Sequence, residues 1–216
     1  MAKIISLEQA VSHVKSGMTI MIGGFLGNGN PKKIIDLLAQ KPVKDLTLVC
    51  NDSGTPEIGL GKLIANKQVK KMLVSYIGLN PASVELMNSG EMEMEFVPQG
   101  TLAERIRAYG AGLGGVLTST GIGTLIEKGK EKITVDGKEY LLEKPIRADV
   151  ALIGASLGDK SGNLVYKGTS RNMNPLMATA ADIVIAEIDE LVEMGEIEPE
   201  RIHTSNIFVD FIVNEK

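Results

Sequence analysis

Ile20-Met21-Ile22-Gly23-Gly24-Phe25-Leu26-Gly27-Asn28-Gly29-Asn30-Pro31 is the stretch that decides the fold. Met18 to Ile22 has the length and branching of a strand buried on both faces, and it runs without a break into four closely spaced glycines. Pro31 then suits the first turn of a helix whose apolar face is Ile34, Ile35, Leu37 and Leu38. The unit is strand, glycine loop, helix, which is the opening move of a parallel α/β sheet.

The same rhythm extends in both directions. Upstream, Ser6 can cap a helix with Leu7, Ala10, Val11 and Val14 at helical spacing up to Gly17. Downstream, Leu46 to Cys50 reads as strand, Ile58 to Ala65 as helix and Met72 to Tyr76 as strand. A helix from Pro81 carries Val84, Leu86 and Met87; a strand ends at Phe96-Val97, and Thr101 to Tyr109 reads as helix. Residues 110–124 hold six glycines and no charge. They read as irregular backbone packed near a ligand or another chain. Lys132 to Leu142, with Asp136-Gly137 at its centre, is a β-hairpin insertion near 131–143, because Asp-Gly suits a two-residue primed turn. Val150 to Ile153 and Ile183 to Ile188 are buried strands, separated by a polar turn at 159–163 and a helix from near Pro175. No self-similarity with a period of 20 to 50 residues stands out. The expectation is one α/β domain over 1–216, an open, mostly parallel sheet with flanking helices.

Composition narrows the function classes. Apolar residues make up 44% and charged residues 23% of 216 residues, which supports a real core. A net charge of -4 with scattered lysines gives no footprint for nucleic acid. A lone Cys50 and two separated histidines offer neither a disulfide nor a metal spacing, so no metal is expected. No segment approaches the roughly 18 apolar residues of a membrane span, and the start lacks the apolar core of a secretory signal. The cytoplasm is the expected location.

Two nucleotide motifs fail on inspection. Gly27-Asn28-Gly29-Asn30-Pro31-Lys32 has lysine where a dinucleotide fingerprint needs its third glycine, and Gly61-Lys62-Leu63 lacks the hydroxyl of a phosphate loop. Glycine-freed amides before the Pro31 helix can still cradle phosphate, carboxylate or a thioester carbonyl; equally, these glycines can serve only a tight turn. His13 and His203 read as surface residues without a nucleophile, Cys50 as a small buried hydrophobe, and Glu91, Glu93 and Glu95 as the solvated face of a strand. Ligands of open α/β sheets collect at the carboxyl ends of the strands. Three segments share that position: the glycine loop, Asn51 to Gly54, and Pro98 to Thr101. Asn51 and Gln99 bring neutral amides that can donate to an oxyanion, or, on the other reading, make a turn and cap a helix.

The stretch from Ser16 to Pro31 resembles the first signature of the family I CoA-transferases, Gly-Gly-Phe, three residues, Gly, any residue, Pro. Asn51-Asp52, Val97 to Thr101, Gly112 to Gly115 and Arg171 to Pro175 are similar to the alpha chains of that family. Ser16 departs from the usual Asp or Asn, outside the loop. The resemblance implies transfer of CoA between acetyl-, butyryl- or acetoacetyl-CoA and acetate, butyrate or acetoacetate. It also implies a glutamate that attacks the thioester and carries CoA as a glutamyl thioester. That glutamate belongs to a Ser-Glu-Asn-Gly motif of a partner beta chain; Asn88-Ser89-Gly90-Glu91 has the composition without the order. Gly23, Gly24, Phe25, Leu26, Gly27, Asn28 and Gly29 are then the CoA-binding loop. Gln99 and Asn51 orient the acyl group, and residues 110–124 form an intersubunit or acyl-pocket wall. CoA is substrate and product rather than a resident cofactor, and an α2β2 assembly is implied. A non-catalytic ligand-binding regulator on a related scaffold, or an orphan dinucleotide-binding module, are the alternatives.

Overall fold

The computed structural model describes residues 2–215. β1 (Lys3–Ile4) leads into α1 (Leu7–Ser12), where the Gln9 amide donates to the Ser6 hydroxyl at 3.2 Å and the Ser6 amide donates to the Gln9 side chain at 2.9 Å. This reciprocal cap sets the helix start that Ser6 predicts. Three strand-helix units follow: β2 (Thr19–Ile22) with α2 (Lys32–Leu38), β3 (Leu46–Asp52) with α3 (Leu60–Ala65), and β4 (Val69–Tyr76) with α4 (Pro81–Asn88). β5 (Glu93–Phe96) and α5 (Gln99–Gly110) close this half. Then come β6 (Val116–Thr118), β7 (Lys132–Val135) and β8 (Lys138–Glu143), the long β9 (Ala148–Asp159), β10 (Leu164–Val165), the single-turn α6 (Asn174–Met177), β11 (Ala181–Val192) and β12 (Phe211–Val213).

The main sheet runs β1-β12-β11-β9-β2-β3-β4-β5, and every pairing along that path is parallel; β10 adds an antiparallel flap to β9. The expected architecture is thus present. Alternation divides the core between two faces. Ile20, Ile22, Leu48, Cys50, Met72 and Leu152 pack with Ile34, Leu38, Leu63 and Leu86 of the helices on one side. Met21, Val49, Leu73, Ala151 and Ile153 pack with Leu102, Ile106 and Met177 on the other.

Three expectations need correction. Residues 110–124 are not wholly irregular, because β6 lies within them and pairs antiparallel with β8. The hairpin itself is present as expected, with Asp136 and Gly137 both at positive φ, and β6 joins it in a separate three-stranded sheet, β6-β8-β7. α3 begins at Leu60 rather than Ile58, because the chain first makes a loop that copies the one before it. Phe25 bridges Asn28 in the first loop and Thr55 bridges Ile58 in the second. Gly24 and Gly54 share positive φ, as do Gly29 and Gly59. A repeat does exist, with a period of 30 residues, carried by backbone angles and two matched pairs of glycines rather than by side-chain similarity.

Candidate active site

From β2 the strand order proceeds outward through β3, β4 and β5, and from its neighbour β9 through β11, β12 and β1. The β2/β9 boundary is therefore the topological switch point, where an open sheet usually binds its ligand. The glycine loop lies there, but the chain has filled the crevice itself. Asn174, fully buried, donates to the carbonyls of Gly29 at 3.0 Å and Ser170 at 2.8 Å, and accepts the Gly154 amide at 3.2 Å. A Cβ on Gly23 would sit 1.7 Å from Asn174 Oδ1, and one on Gly29 would sit 2.3 Å from the Ser170 carbonyl. These two glycines let their own chain approach.

Part of the amide cradle is also committed, while the amides of Gly24, Gly27 and Gly29 make no hydrogen bond among the described residues. The amides of Gly23, Phe25, Leu26 and Asn28 donate to Leu152 O, Asn28 O, Asp52 Oδ2 and Phe25 O. At the start of α2, the Lys33 and Ile34 amides donate to the Glu187 carboxylate at 3.1 and 2.9 Å. An internal carboxylate holds the place that a ligand's anion would take. Burial raises the pKa of Glu187, and the two amides partly offset that shift. The remaining cavity, lined by Gly29, Asn30, Ser156 and Ser170, is about 100 Å³. That is well below the roughly 300 to 1,000 Å³ of a ligand pocket. Phe25, Leu26 and Asn28 form the exposed tip of the loop, while Gly23 and Gly24 are buried.

The carboxyl ends of β3 to β5 are different. Asn51 and Asp52 end β3 as strand residues rather than as a turn, and Gln99 opens α5. Gln99 Nε2 donates to Asn51 Oδ1 at 2.5 Å, Asn51 Nδ2 donates to Asp52 Oδ2 at 2.9 Å, and the Leu26 amide donates to the same Asp52 oxygen at 3.0 Å. All three segments singled out in the sequence thus meet in one hydrogen-bonded run. Asn51 is only 2% exposed, whereas Gln99 lies at the surface. Around this corner Phe25, Leu26, Ile58, Tyr76, Leu79 and Phe96 leave large apolar surface uncovered.

α5 is fixed by Arg105, which is 8% exposed, bonds the Lys144 carbonyl at 2.7 Å and pairs with Glu95 at 2.8 Å. Glu95, half-buried, thus lies between Arg105 and Lys71, on the strand face it shares with Glu93; Glu93 pairs with the same Lys71, and Glu91 with Lys67 at the surface. Gln99, Ala103 and Arg107 recur every four residues along one face of α5. Beside that face, a cleft of about 610 Å³ is walled by Gly100, Thr101 and Ala103 on α5 and by Val116, Leu117 and Thr118 of β6.

The remaining candidates lie elsewhere. Cys50 is buried, and its thiol is pushed up by that burial and by the nearby Asp52, which leaves it protonated and inert. Both histidines are half-buried against rings rather than free on the surface. His13 packs on Phe211, and His203 stacks on Tyr166 and accepts the Tyr166 amide at 3.0 Å. Glu91 precedes β5 at the amino end of the sheet, away from Gln99. Sequence reasoning missed Asn174 and Glu187 as residues that shape this end of the sheet. The Arg171 to Pro175 segment was a signal for the first; nothing local marked the second.

The family described as Coenzyme A transferase matches residues 4–215. The chain is 54% identical over 214 residues to the acetoacetyl-CoA:acetate/butyrate CoA transferase alpha subunit of Clostridium acetobutylicum, covering 99% of this chain and 98% of that protein. It is 50% identical over 211 residues to the alpha subunit of the acetate CoA-transferase of Escherichia coli, covering 98% and 96%. Among solved structures, an acyl-CoA transferase of Escherichia coli O157:H7 in a thioester complex with CoA superposes with a TM-score of 0.84 at 22% identity. That match covers 99% of this chain and 47% of the other, and it speaks to fold alone.

Proposed function

The chain belongs to the coenzyme A transferase family, and on that premise we propose that it is the alpha subunit of a cytoplasmic α2β2 enzyme that exchanges CoA between short acyl groups. Acetyl-, butyryl- and acetoacetyl-CoA are the donors, and acetate, butyrate and acetoacetate the acceptors. The names of the full-length relatives support this range. The partner supplies a glutamate whose carboxylate adds to the thioester carbon and expels CoA thiolate, leaving an acyl-glutamyl anhydride. The thiolate then adds to the glutamyl carbonyl and expels the acyl group as a free carboxylate. The resulting glutamyl-CoA thioester runs the same two steps backwards with the acceptor.

Each addition places negative charge on a carbonyl oxygen, and a neutral amide donor stabilises that charge without bringing a counter-ion into the site. The Gln99–Asn51 amide pair at the carboxyl end of the sheet carries this reading. Gln99 is the donor that faces the reacting carbonyl, and Asn51 holds it. The tip of the glycine loop, Phe25 to Asn28, meets the CoA moiety, with Gly23, Gly24 and Gly29 shaping the backbone beneath it. The cleft between α5 and β6 receives the acyl chain, with Leu117 and Ala103 as its apolar walls. The non-catalytic regulator and the dinucleotide module draw no support from the family match.

The test is Gln99→Ala in the complex with the partner chain. Losing one such donor costs about 3 to 4 kcal/mol of transition-state stabilisation, so turnover should fall roughly 100-fold or more while assembly is retained. A variant complex with full turnover removes Gln99 from the chemistry.

A further inference from the structure

An amide side chain has two nearly equivalent orientations, and an exposed glutamine samples both unless a neighbour selects one. In this molecule the selection can be traced to Asp52. It is 5% exposed, and its oxygens are engaged by N–H donors: Gly54 at 2.9 Å on one, Leu26 at 3.0 Å and Asn51 Nδ2 at 2.9 Å on the other. An ionised carboxylate only accepts. Asn51 must therefore turn its nitrogen to Asp52 and its oxygen away. That oxygen receives Gln99 Nε2 at 2.5 Å and lies 3.4 Å from the Ser75 hydroxyl, which also donates to the Asn51 carbonyl at 2.6 Å. Gln99 is thereby held nitrogen-inward, with Oε1 and its second N–H left for the open side.

The same Asp52 oxygen restrains the glycine loop. Leu26 sits at φ 46, a backbone region unfavourable for a side-chain-bearing residue, and its amide is held by Asp52. The geometry points to Asp52 as a positioning residue that sets the amide polarity of Asn51 and, through it, of Gln99, and ties that pair to the tip of the glycine loop. It touches no reacting atom. The inference rests on Gln99 being the donor to the reacting carbonyl.

Asp52→Asn keeps the shape and removes the acceptor-only character, so the polarity of the run is no longer enforced. The experiment is a double-mutant cycle on the αβ complex, with kcat and KM measured for the parent, Asp52→Asn, Gln99→Ala and the double variant. Asp52→Asn should lower kcat about tenfold or more, with KM for acyl-CoA moving much less. In the Gln99→Ala background the same substitution should cost less than about threefold, because the group it orients is gone. Equal loss in both backgrounds overturns the inference in favour of a general structural role. Unchanged turnover of Asp52→Asn beside an impaired Gln99→Ala also overturns it. Full turnover of Gln99→Ala instead overturns the reading it rests on. Should Asp52→Asn fail to assemble, Asp52→Ser removes the charge with less bulk and carries the same cycle.

Discussion

Two crevices lie side by side at the carboxyl ends of the parallel strands, one between β2 and β9 and one over β3 to β5. Topology favours the first, since the strand order reverses there and the glycines are densest there. Yet Asn174 and Glu187 fill it from within, and about 100 Å³ remains. The second has its own glycines, Gly54, Gly59 and Gly61, spread more widely, but its amide run ends at the surface beside uncovered apolar side chains and a cleft of about 610 Å³. Glycine density therefore reports close approach without saying what approaches. At Gly23 and Gly29 it is the chain itself; at the tip of the loop the surface is left open.

That contrast can be broken most severely within the loop. Gly29→Ala puts a methyl 2.3 Å from a backbone carbonyl at φ 78, so overpacking and left-handed strain combine to about 3 kcal/mol or more. Gly27→Ala, at φ 84 with its nearest neighbour at 3.8 Å, carries only the strain, about 1 kcal/mol. Denaturant midpoints of the two variants should separate accordingly, and equal losses would mean that the sealed crevice is not rigid.

A smaller effect distinguishes the crevices by pH. Glu187 has a folded pKa above its unfolded value, so the folded chain binds the proton more tightly. Its contribution to stability is fully present below the ordinary carboxylate range and falls as pH rises through the raised value. Glu187→Gln should flatten that segment of the stability profile; an unaltered profile would place the titrating group elsewhere. The smallest expected effect is at Gly114, which has open space around it and an ordinary φ. Gly114→Val should leave the isolated chain within about 0.5 kcal/mol of the parent. A loss seen only in the assembled complex, by chromatography or by a changed ranking of acyl substrates, would mark 110–124 as a partner or acyl wall; no change in either would remove it.

Much of the fold was legible because both sheet faces are buried. Runs such as Leu46 to Cys50, bounded by glycine and charge, have few other uses in a folded chain. The boundaries that moved did so for non-local reasons. β9 and β11 extend to twelve residues each because they pair with one another along most of their length, and β6 exists because β8 offers it an edge. The second loop is not legible in the sequence because backbone angles, not side chains, repeat there. Of the site, Asn51 and Gln99 could be named from their place after strands, while their contact could not be read from residues 48 positions apart.

The order of apolar runs and glycine breaks was enough to specify a parallel α/β sheet, its two-sided core, and the end of the sheet where chemistry would collect, because these follow from short-range periodicity and the burial it demands. Which crevice at that end stays open was settled by tertiary packing alone. That outcome depends on side chains from distant elements, Asn174 and Glu187 in one place and Asp52 with Gln99 in the other, and no local pattern encodes where such groups meet.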